Sequence, residues 1–106
     1  METSTNAKAP DKIKVMELFI RQCAVAAIQC AVTIKSIDHE NGHSLPAMLA
    51  QRMADNAWHA YGCALNTRDV RELDFIAHSA GNLVTATQDI LFTFLTGRTP
   101  NEAYCA

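Results

Sequence analysis

Four histidines (His39, His43, His59 and His78) and four cysteines (Cys23, Cys30, Cys63 and Cys105) carry much of the side-chain chemistry open to this chain of 106 residues. Glu40 and His43 form a Glu-x-x-His pair. A di-iron carboxylate bundle takes two such pairs and two further helical glutamates. Gly42, inside this one pair, is also a helix stop, so no metal centre is expected. The cysteines contain no C-x-x-C, the spacing of a zinc knuckle or a redox pair. On one helix, Cys23 and Cys30 would share a face yet stand about 10 Å apart along the axis, beyond the roughly 7 Å between Cα atoms that a disulfide allows. The cysteines therefore read as reduced, buried thiols acting as small hydrophobes. Asp74 and His78, four residues apart, can meet as a pair on a helix face, but no nucleophile is arranged around them. His78-Ser79 lacks the strand-turn-helix setting of a nucleophile elbow, and Ala80-Gly81 reads as a place where another helix comes close. Neither catalysis nor a cofactor is expected. Trp58, His59 and Tyr61 either line a pocket or interface or form the bulky part of an alanine-rich core.

The rest of the composition agrees with a binding protein. With 49% hydrophobic and 19% charged residues, the chain suits one small globular domain. Its net charge of -2 and lack of a basic run give no electrostatic footprint for DNA or RNA. Residues 1–10 show no charged-then-apolar leader pattern and are expected to be flexible. The most apolar stretch, Leu18 to Ile34, is interrupted by Arg21, Gln22 and Gln29, so the expectation is a cytoplasmic protein with no membrane span.

Three helices must carry these residues. From Asp11, the apolar positions Ile13, Met16, Ile20, Cys23, Ala27, Cys30, Ile34 and Ile37 recur at spacings of three and four. Pro10 sits at a first-turn position and Gly42 at the stop, which predicts a first helix over about 11–41, some thirty residues and about 45 Å. Ser44 caps a second helix over 45–65, with Pro46 in its first turn and Leu45, Leu49, Met53, Ala57, Ala60 and Ala64 along one stripe. Asn66 or Thr67 caps a third over 68–96, with Val70, Leu73, Ala77, Ala80, Val84, Thr87, Leu91 and Phe94 as its seam and Gly97 as its stop. Residues 98–106 are left as a short tail. The class is all-α, a single domain over 11–97, with helices running up-down-up because the connections are short. Lys12, Lys14 and Arg21 should then lie near Asp69, Glu72 and Asp74.

The first and third helices carry more apolar surface than one seam uses. Leu18, Val25 and Val32 repeat every seven residues opposite the first seam, bordered by polar residues that include Arg21 and Gln29. Ile76, Leu83 and Ile90 repeat likewise on the third helix. Either these stripes widen the core, or they are buried against another chain, a copy of this one or a target. The second account makes these eight residues partner-binding and the protein a homodimer within a larger helical bundle. The alternative is a bundle that holds a metal, haem or small molecule.

A short, acidic chain with heptad seams and apolar outer stripes resembles the small helical antiactivators of bacterial quorum sensing. That resemblance lies in size and helical character and transfers no individual residue. It implies a non-enzymatic regulator that sequesters a LuxR-type transcription factor by occupying its dimerisation surface.

Overall fold

Three α-helices make up the computed structural model, which describes residues 11–97: α1 (Lys12–Ile37), α2 (Leu45–Leu65) and α3 (Val70–Thr96). The fold is all-α, with no strand among the described residues. The segments expected to be a flexible start and a short tail, 1–10 and 98–106, lie outside that range, as do Pro10 and Cys105.

Each helix begins at a side-chain cap. The Asp11 carboxylate accepts from the Ile13 amide at 2.9 Å, Ser44 Oγ from Ala47 at 3.4 Å, and Asp69 from Arg71 at 2.9 Å, each satisfying an amide that the first turn leaves unpaired. Asp69, rather than Asn66 or Thr67, caps α3. Thr67 instead accepts from the Asp69 amide and donates to the Glu72 carboxylate. Gly97 ends α3 in the left-handed region, at φ 73°, with its N–H on the Thr93 carbonyl, the role expected of it.

The expected reach of the first helix to residue 41 is corrected: α1 stops at Ile37. Asp38 leaves helical geometry at ψ 122°, and its carboxylate accepts from the amides of Glu40, Gly42 and Ser44 at 3.1, 2.8 and 3.2 Å. These three bonds close a turn where a further helical turn would have continued α1. The turn needs Asn41 at φ 58° and Gly42 at φ 89°. Asparagine tolerates the left-handed region; at Gly42 a Cβ would also meet Lys35 Cγ at 2.9 Å. The helix is 26 residues long, or about 39 Å. Ile37, placed last in the predicted seam, is exposed.

Two clusters form the core. Ile20 and Cys23 of α1 meet Ala64 of α2 and Leu73 and Ala80 of α3, with Ile13, Met16, Tyr61 and Ile76 packed around them. Beyond them along α1, residues Ala24 to Ile34 meet Ala47, Ala50, Ala54 and Ala57 of α2, with Leu83, Ile90, Leu91 and Phe94 of α3 against them. The start of α1 thus shares a cluster with the end of α2 and the first half of α3. Thr87 is fully buried, its hydroxyl donating to the Val84 carbonyl at 2.8 Å, so burial leaves no orphan polar group.

The predicted stripe of α2 holds at Ala57 and Ala64 but not in its first half. Ala47, Ala50, Ala54, Ala57 and Ala64 are buried, whereas Leu45 and Leu49, placed in the predicted core stripe, stand in solvent. Alanine lets helix backbones approach closely and costs no rotamer freedom on burial. Among the described residues no ion pair links Lys12, Lys14 or Arg21 to Asp69, Glu72 or Asp74. Those acids cap Arg71, accept from Thr67 and meet His78, respectively.

Candidate functional site

The residues with chemical potential are held apart from one another. His43 follows the end of α1 in the Asp38 turn, where its Nδ1 donates to the Glu40 carbonyl at 3.1 Å. The Glu-x-x-His pair therefore lies in a turn and does not project from one helix face. His78 Nδ1 donates to the Asp74 carbonyl at 2.9 Å and lies 3.8 Å from the Asp74 carboxylate, both side chains in solvent. This is the pair that the spacing predicted, and an exposed one is worth little. Among the described residues no three His, Cys, Asp or Glu side chains converge to hold a metal ion.

The described cysteines are free thiols in three different settings. Cys23 is buried and Cys30 half-buried, but Cys63 is exposed, which corrects the reading of all four as buried. Burial raises the Cys23 thiol pKa above its ordinary value, so this sulfur is held as a packed thiol. Trp58 and Tyr61 form a tilted ring pair with centroids 5.5 Å apart. Their roles divide: Tyr61 packs on both core clusters, while Trp58 is exposed over a shallow recess with Ile28, Gln51, Asp55 and His59.

Large apolar side chains stand in solvent on all three helices, Phe75 of α3 most of all, and two groups of them form a face or a groove. The first is the outer face of α1. Leu18 and Val32 are 54% and 58% exposed, Val25 between them is half-buried, and Arg21 and Gln29 are exposed beside them. Val15 and Phe19 widen this surface toward α3. There the Phe19 ring edge lies 4.0 Å from where a Gly81 Cβ would be, an ordinary contact with a side chain, so Gly81 is not needed for a close helix approach. The corresponding stripe on α3 is placed differently. Ile76, Leu83 and Ile90 are half-buried and pack against the core clusters, so on α3 the second stripe widens the core face.

The second surface is a groove where the start of α2 meets the end of α3. It has a volume of about 570 Å³ and is lined by Leu45, Pro46, Leu49, Ile90, Thr93 and Phe94, with Asp89 at its edge. Leu45 is 69% exposed. Sequence reasoning missed this groove because it put Leu45 and Leu49 inside. The signal was the rival set Ala47, Ala50 and Ala54, which leads into Ala57 of the predicted stripe at spacings of three and four that are just as helical.

By length and composition alone α1 is apolar enough to cross a membrane, with a mean hydropathy of 1.5 in its most apolar window. Its inner side, Ile20 to Ile34, is occupied by the other two helices. Compared with family models, curated proteins and solved structures, the chain matches none.

Proposed function

We propose that the chain is a non-enzymatic protein–protein interaction module, a cytoplasmic homodimer that sequesters a protein target. The observation that supports this reading is the inversion on α2 and α1: methyl groups of alanine fill the core while Leu18, Val32, Leu45 and Leu49 stand in solvent. A fully buried aliphatic side chain stabilises by roughly 1.5–3 kcal/mol. With about half of each surface still open, these four forgo on the order of 5 kcal/mol until another chain covers them.

The groove between α2 and α3 is concave and apolar, the shape that receives the apolar edge of a partner helix. The target class follows from the resemblance to quorum-sensing antiactivators: a LuxR-type transcription factor, inactivated through its dimerisation surface. The test uses a purified LuxR-type regulator on its operator DNA. Adding the chain should release the DNA, and Leu49→Arg, outside the core, should abolish release while keeping the helices. A folded wild-type chain that leaves the regulator on DNA would exclude this target class. A clean 11.6 kDa species at micromolar concentration in sedimentation equilibrium would exclude the homodimer.

A further inference from the structure

We infer that the groove between α2 and α3 is covered by the chain's own segment 98–106, which turns back past Gly97 and lays the Tyr104 ring between Leu49 and Phe94. This goes beyond the target class proposed above and does not depend on it, but a partner helix entering the groove must first displace that ring.

The place where the chain leaves α3 favours its own segment as the occupant. Gly97 follows Thr93 by four residues and Phe94 by three, and both of these line the groove. Residues at those spacings share one helix face. The Gly97 N–H is held on the Thr93 carbonyl, and its left-handed φ of 73° ends the helix there. The chain therefore departs at the edge of the groove, on the groove's own side of α3.

Reach and turn chemistry bring the segment back. Pro100-Asn101 suits the two central positions of a β-turn, where proline presets φ at the first and asparagine tolerates the left-handed region at the second. A turn over 99–102 reverses the chain and returns 103–106 toward the last turns of α3. The seven residues from Gly97 to Tyr104 span at most about 25 Å, whereas Phe94 and Ile90 lie only about 5 and 10 Å back along α3. The segment 1–10 has no such access. It enters α1 at the end of the bundle that holds Ala64 and Leu73, the full helix length of about 39 Å from the groove, and ten extended residues reach about 35 Å.

The chemistry of the two surfaces matches. Leu45, Leu49, Ile90 and Phe94 wall the groove, and the Asp89 carboxylate stands at its edge. Ala103-Tyr104-Cys105-Ala106 is an uncharged run whose one large side chain is amphipathic. The ring packs on the apolar walls, and the hydroxyl donates to Asp89. A tether this short holds the ring at a roughly millimolar effective concentration, well above that of a second copy in micromolar protein.

Nuclear Overhauser spectra of the full chain, with its leucine and isoleucine methyls carbon-13 labelled, test this directly. The Tyr104 ring protons should give cross-peaks to the methyls of Leu45, Leu49 and Ile90. Tyr104→Ser should erase them and shift those methyl signals while helical circular dichroism stays unchanged; Tyr104→Phe should keep them. Random-coil Tyr104 signals without these cross-peaks overturn the inference. In an equal mixture of labelled and unlabelled chains, cross-peaks between the two kinds of molecule would put a second copy in the groove, which overturns it as well. Neither result bears on whether the chain releases a regulator from DNA, so the two proposals can fail separately.

Discussion

The two core clusters are packed with different side chains. Where α1 begins, Ile20 and Leu73 supply the bulk, together with Cys23 and two alanines. Farther along α1, seven of the eight buried residues are alanine and Ile34 alone is large. The first cluster is held by a few big side chains, each removing much apolar surface from water. The second depends on backbone proximity, with the larger groups, Leu83, Ile90 and Phe94, leaning in from the side. Damage to the first should come from shrinking a residue, and to the second from enlarging one.

The largest effect expected is from Leu73→Ala, which empties a site with no exposure and should cost about 2–5 kcal/mol in urea unfolding. A loss under 1 kcal/mol would mean that this cluster collapses around the gap and that the contrast is false. Ala54→Leu should cost about 1–3 kcal/mol, because three extra carbons enter a position with no free surface. Stabilisation by this change would show slack packing between α1 and α2.

A smaller effect belongs to the turn that joins the alanine-packed halves of α1 and α2. Burial would push the Asp38 carboxyl up, but the hydrogen bonds from Glu40, Ser44 and Gly42 outweigh it and hold the carboxyl below its ordinary value. A group with a lowered folded pKa stabilises above its unfolded pKa, and that stabilisation fades as pH falls through the folded one. Asp38→Asn should therefore lower Tm by several degrees at neutral pH, with the gap to wild type closing below about pH 4. A gap that stays constant down to pH 2 would show that the charge contributes nothing. Smallest of all, Leu49→Gln should shift the urea unfolding free energy of dilute protein by less than about 0.5 kcal/mol, since the residue lies outside both clusters. A loss of 2 kcal/mol would instead make it part of the core.

Much of the frame was legible because its signals are local. Ser44, Pro46 and Gly97 mark helix ends by their own conformational preferences, and the α1 seam members Ile20, Cys23, Ala27 and Ile34, spaced by three, four and seven, are buried. The end of α1 was not legible, because Asp38 acts through amides two, four and six residues ahead, a pattern without periodicity. The first half of the inward face of α2 was hidden for another reason, whereas Ala57 and Ala64 were placed on that face. Leucine and alanine stripes share the same spacing, and hydropathy favours leucine, whereas the close approach of α1 favours alanine. The groove lined by Leu45 and Leu49 was lost with that choice. On α3, Ile76, Leu83 and Ile90 were visible as a stripe, but how far a neighbouring helix covers a flank depends on tertiary geometry.

The Asp38 turn also bears on the order in which the molecule assembles. Its three hydrogen bonds close loops of two, four and six residues, so their entropic cost of closure is small and they can form before any helix pair has docked. Because synthesis runs from the N-terminus, α1 and α2 can fold back about this turn and join their alanine faces while α3 is still being made. Ile20 and Cys23 must then wait for Leu73 and Ala80, which lie about fifty residues later in the chain. The bulky cluster is the late event, and until it closes Ile20 and Cys23 have only Ala64 and Tyr61 of α2 to cover them.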